Sequence, residues 1–174
     1  MIRLLYFFLF ISLIACRAEK TKDSTAKKWG TAHSVDFNHE LNAREELKIK
    51  LFLAHHQELD MDSLQSESGL RFMRYCHGIG PDLAKVGQEA IVRVKIELLD
   101  GRVCYETAKG EIERVVIAKS EKETGIHEAL QLMMKGDKAK LILPSYLGHG
   151  LLGDRMKIPP QSVLYIDLQL IDLK

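Results

Sequence analysis

Few residues of this chain have the types and spacing that covalent chemistry requires. Ser145 and His149 are a hydroxyl and an imidazole close together in sequence, but no acidic orienting residue and no nucleophile-elbow motif accompanies them. The segments Gly136-Asp137-Lys138 and Gly148-His149-Gly150 lack the spacing of a phosphate-binding loop. These residues therefore indicate neither hydrolysis nor nucleotide binding.

The adjacent histidines His55 and His56 have the residue type of metal ligands but not the spacing. Neighbouring residues on a helix point in directions about 100° apart, whereas two metal ligands on one helix need i, i+4 spacing. We therefore expect solvent-facing histidines, no metal site and no cofactor.

The charge balance excludes one class of partner. Lys and Arg number 25 against 24 Asp and Glu in 174 residues, so the chain has no basic excess. A nucleic-acid-binding protein of this size normally carries such an excess to displace counterions from phosphates. We therefore expect no nucleic-acid partner.

Cys16 is the cysteine whose surroundings point to a modification. Residues 4–15 are a twelve-residue, almost wholly apolar run that follows a basic residue. A bilayer-spanning helix needs about twenty apolar residues, so this run is typical of a secretory signal. Its end, Leu13-Ile14-Ala15-Cys16, resembles a bacterial lipobox, in which the cysteine thiol carries a diacylglycerol. We predict a lipoprotein signal peptide at 1–15 and lipid attachment at Cys16; the alternative is an ordinary signal peptide with an incidental cysteine.

Lipidation would place the chain in the cell envelope, anchored to a bacterial membrane on its periplasmic side or in the outer membrane. The lipid bilayer is then a partner through acylated Cys16, because each buried CH₂ group contributes about 0.8 kcal/mol. Residues 16–41 are predicted to be the lipidated cysteine and a flexible tether, since the segment begins with polar, Lys-rich sequence that cannot form a core.

Residues 42–68 are predicted to be a helical segment and a connector. Asn42, followed three residues later by Glu45, has the form of a capping box, and apolar residues then recur at helical spacing. This pattern predicts an amphipathic helix from Asn42 to about Leu59, with a polar connector over 60–68.

From residue 69 onwards the apolar pattern changes from helical to alternating. Residues 90–98 and 164–170 each place apolar side chains on one face and polar ones on the other, as half-buried antiparallel strands do. Further strands are predicted at 70–76, 111–117 and 139–143. One helix, at 127–134, has the apolar stripe of a helix packed on a sheet and stops before Gly136. A single helix among strands predicts the α+β class.

Five pieces of this domain, taken in order, resemble the FKBP-type peptidyl-prolyl cis-trans isomerases. They are residues 98–101 (Leu-Leu-Asp-Gly), 125–130 (Gly-Ile-His-Glu-Ala-Leu), 133–138 (Met-Met-Lys-Gly-Asp-Lys), 143–145 (Leu-Pro-Ser) and 158–164 (Ile-Pro-Pro-Gln-Ser-Val-Leu). The resemblance covers about residues 86–174. It implies an FKBP-like twisted antiparallel sheet wrapped around one short helix for the isomerase domain, residues 69–174. More narrowly, the lipobox, the segment at 41–43 and the Cys104-Tyr105 pair resemble the gliding-motility-associated FKBP-type lipoproteins of Bacteroidetes.

The resemblance also implies a substrate pocket with no covalent catalyst. Rotation about an X–Pro bond breaks amide resonance, so a catalyst need only bind the twisted imide better than the planar one. Ile126 stands where many members have Trp, Ile166 where Phe is common and Val94 where Tyr is usual. Each of these apolar residues also fits as plain core. The full implied pocket is Val94, Cys104, Tyr105, Ile126, His149, Ile158 and Ile166.

The function implied by the resemblance is a membrane-anchored peptidyl-prolyl isomerase that assists the folding of envelope proteins, with proline-containing polypeptides as clients. Smaller side chains at aromatic positions favour an alternative, a weakly catalytic or non-catalytic chaperone or binding lipoprotein, or a component of a motility or secretion apparatus. The sequence leaves open whether Cys76 and Cys104 form a disulfide.

Overall fold

The computed structural model describes residues 31–61 and 66–174 of the chain. The predicted signal peptide, the predicted lipidation site Cys16 and the first part of the predicted tether lie outside the described residues. Within the described ranges, no helix combines the length and the hydropathy that a bilayer crossing requires. Residues Asn38–Lys174 form one compact unit, which contains the whole sheet.

The first helix, α1, spans Thr31–His55. The predicted start at Asn42 is therefore wrong, and so is the predicted tether over residues 31–41. The sequence from 31 to 41 contains no proline or glycine that would end a helix. The carboxylate of Glu45, which a capping box would direct back to Asn42, instead binds Ser145 in another part of the fold.

The end of α1 also differs from the prediction, since the helix ends at His55 rather than near Leu59. The Nδ1 atom of His55 donates to the carbonyl oxygen of Leu51 at 2.7 Å, and that of His56 donates to Phe52 at 2.9 Å. Histidine side chains near a helix C-terminus can bond the carbonyl groups of its last turns. The two histidines are thus bonded to the helix end.

Six antiparallel strands form one sheet. They are β1 (Arg71–Cys76), β2 (Glu89–Leu98), β3 (Val103–Glu106), β4 (Glu113–Val116), β5 (Lys138–Leu143) and β6 (Leu164–Leu173). The strand order is β1-β5-β6-β2-β3, and β4 also pairs with β2. The predicted strands are all present, while β3 is an addition that the alternating pattern did not show.

The outer edge of β2 is shared by two short strands. β4 pairs with Glu89–Val92 and β3 with Lys95–Glu97, which leaves Val94 between them. Thr107 fills this gap, because its hydroxyl accepts from the Val94 N–H at 3.0 Å and its own N–H donates to the Val94 carbonyl at 2.9 Å. The middle of β2 therefore keeps its backbone hydrogen bonds without a third strand.

The second helix, α2 (Thr124–Gln131), packs on one face of the sheet. It begins three residues earlier than the predicted 127–134. Ile126, Ala129 and Leu130 are buried in the main core with residues from β2, β5 and β6. A Cβ atom at Gly125 would lie 2.3 Å from Leu143 Cδ2, so any larger residue at this position would require the Leu143 side chain to move. The predicted α+β fold with one short helix against an antiparallel sheet is confirmed.

A second apolar cluster attaches α1 to the sheet. Ile49 of α1 packs with Leu59 and Met61, which follow the helix, and with Ile142 of β5 and Val163. Met61 is buried, although it lies in the segment predicted as a polar connector. Ile142 alternates with Leu141 and Leu143 of the main core, so α1 covers the face of β5 opposite to α2.

The two cysteines beyond the signal region do not form a disulfide. Cys76 is exposed on β1 and Cys104 is buried on β3, and both are free. Three strands, β5, β6 and β2, lie between them in the sheet order. The sheet architecture therefore separates the two thiols.

Candidate functional site

A cavity of about 650 Å³ lies where β2 and β3 meet the loop before α2 and the long loop between β5 and β6. Val94 and Ile96 supply its apolar floor, since alternate residues of a strand share one face. Both side chains are nearly inaccessible to solvent. In the sheet register Ile96 stands opposite Tyr105 on one side and Ile166 on the other. The floor therefore continues directly into the main core.

Three of the predicted site residues line the cavity, namely Val94, Tyr105 and His149. The other four are core residues with at most 2% of their surface exposed, and the cavity lining does not include them. They are Cys104, Ile126, Ile158 and Ile166. These four side chains therefore support the wall through the core cluster that also contains Val94 and Ile96.

The buried position of Cys104 limits the reactivity of its thiol. Its Sγ atom lies 3.5 Å from the carbonyl oxygen of Lys157. Burial is the main cause that raises the pKa of the Cys104 thiol above its ordinary value. The thiol therefore stays protonated near neutral pH, and a reactive thiolate is not formed.

Tyr105 and Asp154 connect β3 to the long loop. The Tyr105 hydroxyl donates to Asp154 Oδ2, while Asp154 Oδ1 accepts from the backbone N–H groups of Met156 and Ile158, both at 2.8 Å. Burial acts to raise the pKa of Asp154, but hydrogen bonds from Tyr105 and the backbone outweigh it and lower the pKa to about 2. The ionised carboxylate thus holds the loop against the aromatic ring at the cavity.

His149 is held by a second carboxylate. Its Nε2 atom donates to Glu123 Oε1 at 3.0 Å, with the histidine side chain 30% exposed and the glutamate side chain 8% exposed. Glu123 is the residue before α2, and its carboxylate makes no cap hydrogen bond to that helix. This contact fixes the imidazole on the rim of the cavity.

The loop that carries His149 is fixed at its start by α1. Glu45, with 1% of its surface exposed, accepts from the Ser145 N–H at 2.8 Å and from the Ser145 hydroxyl at 2.5 Å. The Ser145 hydroxyl and the His149 ring therefore have separate carboxylate partners and do not form a nucleophile–base pair. The arrangement contains no hydrolytic site at these two residues.

Ile96, Asp154 and Glu123 were missed by the sequence reasoning. Ile96 follows Val94 by two positions, so the alternation of β2 was a sufficient signal for it. Asp154 and Glu123 had no comparable signal. Their roles arise from contacts with Tyr105 and His149, which lie far away in the sequence.

These features define a class of site. An apolar floor, an aromatic ring and an imidazole held by carboxylates can bind a segment of polypeptide without forming or breaking a covalent bond. In the part of the chain that the structure describes, no group of three or more His, Cys, Asp or Glu side chains is placed to hold a metal ion. The cavity thus lies on an antiparallel sheet with one short helix, and its lining has the chemistry for non-covalent contacts.

The comparison with known families gives this class a name. The family model described as "FKBP-type peptidyl-prolyl cis-trans isomerase" matches residues 80–171. The chain belongs to this family.

Individual relatives agree with the assignment. The chain is 33% identical over 113 residues to the macrophage infectivity potentiator of Trypanosoma cruzi, covering 65% of this chain and 57% of that protein. It is 28% identical over 166 residues to the FKBP-type peptidyl-prolyl cis-trans isomerase FkpA of Buchnera aphidicola, covering 94% of this chain and 61% of that one. The chain thus spans about three-fifths of the length of these curated relatives.

A solved structure shows the same fold. The crystal structure of a peptidyl-prolyl cis-trans isomerase from Pseudomonas syringae pv. tomato has a TM-score of 0.63 and 22% sequence identity, covering 76% of this chain and 95% of that one. The similarity confirms the FKBP-like sheet and short helix.

Proposed function

We propose that this chain is a peptidyl-prolyl cis-trans isomerase, anchored to a membrane of the cell envelope, that acts on proline-containing polypeptides. The observation that carries the proposal is the cavity with Val94 and Ile96 as its floor and Tyr105 and His149 at its walls. Family membership supplies the reaction class, and the cavity supplies a place for the proline ring.

The catalytic problem is a barrier of about 18–20 kcal/mol that arises from amide resonance. Water bonded to the carbonyl oxygen favours the planar, charge-separated form, so an apolar floor that excludes water favours the twisted imide. The Tyr105–Asp154 and His149–Glu123 contacts hold the surrounding walls in place before the client binds. Pre-organised walls lower the entropic cost of positioning the peptide.

The small side chains of the floor set an expectation for the rate. An aromatic side chain buries about 150–250 Å², and this floor is made of Val94 and Ile96 instead. Each 1.4 kcal/mol of lost transition-state binding lowers the rate about tenfold. We therefore expect measurable but modest catalysis.

The test is the cis-to-trans rate of short X–Pro peptides in the presence of the full-length protein, purified in a non-ionic detergent. The rate is expected to rise in proportion to protein concentration, and His149→Ala is expected to lower kcat/KM. Glu58→Ala, at an exposed position that does not line the cavity, is the matched control and should retain the wild-type rate. A wild-type protein that does not accelerate the reaction would refute the enzymatic proposal.

A second candidate is a chaperone or binding lipoprotein with little catalysis, including a component of a motility or secretion apparatus. It is favoured by the placement of Ile126 and Ile166 in the core, since both stand at positions where the family often has an aromatic residue. The separating experiment is the aggregation of a client protein without prolines. Suppression of its aggregation would support binding that is independent of isomerisation. An unchanged time course of aggregation would contradict the chaperone candidate.

Membrane anchoring is the third part of the proposal. It is supported by the Leu13-Ile14-Ala15-Cys16 motif at the end of a twelve-residue apolar run. Acylation of Cys16 would place the cavity in the envelope, where unfolded secreted chains are available as clients. The corresponding test is lipid labelling, described with the predictions below.

A further inference from the structure

The cavity has an uneven distribution of charge. Seven of its lining residues are ionisable with a fixed sign near neutral pH: the acidic Glu106, Glu113, Glu121, Glu123 and Asp154, and the basic Lys122 and Lys157. The whole chain is almost neutral, with 25 basic and 24 acidic residues. The acidic excess is therefore a property of this site and not of the protein as a whole.

The two lysines are already engaged. Lys122 Nζ bonds Glu113 Oε2 at 2.6 Å, and Lys157 Nζ lies over the Tyr105 ring, 4.8 Å from its centroid. Burial acts to raise the pKa of Glu113, but hydrogen bonds from Lys122 and Thr107 exceed it and hold the pKa below its ordinary value. Glu113 is thus ionised and neutralised locally.

Two exposed carboxylates of the lining have no such neutralisation. Within the described residues, Glu106 and Glu121 form no ion pair and no side-chain hydrogen bond. Lys95 stands opposite Glu106 in the sheet register, but the Lys95 Nζ atom forms its ion pair with Glu97, at 2.9 Å. The hydrogen bond to Glu97, and to a lesser extent the Glu106 charge, raise the pKa of Lys95. The mouth of the cavity therefore presents two carboxylates that can receive a positive charge.

A third carboxylate of the wall is incompletely bonded. Glu123 uses Oε1 for His149, while its Oε2 is buried and has no hydrogen-bond partner in the described part of the chain. A buried charged acceptor without a donor is costly, and a bound ammonium or guanidinium group would supply one. This unpartnered oxygen favours a ligand that carries a hydrogen-bond donor, and the charge count favours a donor that is cationic.

We infer that the cavity selects clients in which a lysine or arginine lies next to the proline. This inference deepens the proposed function and rests on it. The apolar floor would receive the proline ring, while Glu106, Glu121 and Glu123 would attract the neighbouring basic side chain. Charge complementarity of this kind raises the association rate and rejects clients of the opposite charge.

The test compares three peptides that differ only before the proline, Lys-Pro, Leu-Pro and Glu-Pro, with the full-length protein in non-ionic detergent. At low ionic strength we expect kcat/KM for Lys-Pro to exceed that for Glu-Pro by about tenfold, which is within the range of electrostatic steering. The ratio should shrink in 0.5 M salt, where charges are screened over about 4–5 Å. Equal values for Lys-Pro and Glu-Pro at low salt would overturn the inference.

A pair of variants assigns the preference to particular residues. The double variant Glu106→Gln/Glu121→Gln is expected to bring the Lys-Pro to Glu-Pro ratio towards one, because both positions are exposed and the changes preserve size. Glu58→Gln makes the same chemical change away from the cavity and should leave the ratio unchanged. A double variant that keeps the full ratio would refute the role of these carboxylates.

A binding measurement separates failure of this inference from failure of the proposed function. Fluorescence anisotropy of labelled Lys-Pro and Glu-Pro peptides gives their Kd values whether or not the bond is isomerised. Tighter binding of Lys-Pro without any rate acceleration would support the inferred charge preference and refute the proposed isomerase activity. Faster isomerisation of the Leu-Pro peptide, with equal Kd values for the two charged peptides, would support the proposed isomerase activity and refute the inferred charge preference.

Discussion

Replacing Glu45 by alanine tests the attachment of α1 to the loop that carries His149. The Glu45 carboxylate is buried and accepts two hydrogen bonds from Ser145, at 2.8 Å and 2.5 Å. Glu45→Ala removes both bonds and leaves a buried N–H group and a buried hydroxyl without their acceptor. The perturbation acts on the stability of the loop without altering any residue of the cavity lining.

The expected magnitude follows from the number and type of these bonds. A hydrogen bond to a charged group contributes about 1.5–3 kcal/mol, so the loss of both should cost roughly 3–6 kcal/mol in the free energy of unfolding. A domain of this size is stabilised by about 5–15 kcal/mol in total. Glu45→Ala should therefore be severely destabilised, whereas Glu45→Gln retains one amide oxygen as acceptor and should lose only about 1–2 kcal/mol.

Urea unfolding of the full-length protein and its variants gives these free energies from the midpoint and the slope. Glu40→Ala is the matched control, because Glu40 lies on the same helix and forms only an exposed ion pair with Arg44. That change should cost less than about 0.5 kcal/mol. If Glu45→Ala unfolds at the wild-type midpoint with an unchanged slope, the argument about the buried carboxylate is wrong.

Three further predictions concern other parts of the chain. Tyr105→Phe should raise the pKa of Asp154 from about 2 towards its ordinary value, which carboxyl NMR titration would measure. The low folded-state pKa stabilises the protein above about pH 4, and this contribution is lost as the pH falls towards 2. The variant should therefore lose stability at a higher pH than the wild type. Ile126→Trp should lower the thermal unfolding midpoint, since overpacking a core position costs about 1–3 kcal/mol. An unchanged midpoint would show that the core around residue 126 accommodates the larger ring. Cys16→Ser should abolish incorporation of a fatty-acid analogue, and equal labelling would exclude this residue as the lipid site.

The long elements could be predicted because their periodicity is sustained. β2 and β6 each have ten residues, and their alternation gave both the strands and the buried face. β3 has four residues at the edge of the sheet and buries only Cys104, so no alternation distinguishes it from a loop. Its position depends on pairing with β2, which a local pattern does not report.

The predicted start of α1 was wrong because the side chain of a capping-box motif can also form hydrogen bonds elsewhere in the fold. Asn42 and Glu45 have the types and spacing of a capping box, but the carboxylate forms stronger contacts with a buried N–H group and hydroxyl. Helix propensity before Asn42 then continues the helix. Tertiary contacts of this kind, between residues 45 and 145, are not visible in the sequence around either residue.

The site was predicted in part for a related reason. Residue-by-residue comparison with the family selected Val94, Tyr105 and His149, and these three residues line the cavity. It also selected Ile126 and Ile166, where larger aromatic side chains would reach further than isoleucine does. Asp154 and Glu123 escaped the comparison because their importance lies in the partners that they hold, and not in a motif of their own.

Under the proposed function, the way in which Thr107 completes the edge of β2 bears on how a client polypeptide would bind. A strand edge with unpaired N–H and C=O groups is a template on which another extended chain can add, and such addition leads to aggregation. Because Thr107 occupies both backbone groups of Val94, the strand beside the cavity offers no free rung to a client. At Val94, a bound client would thus engage the cavity through its side chains rather than by pairing with the backbone of β2.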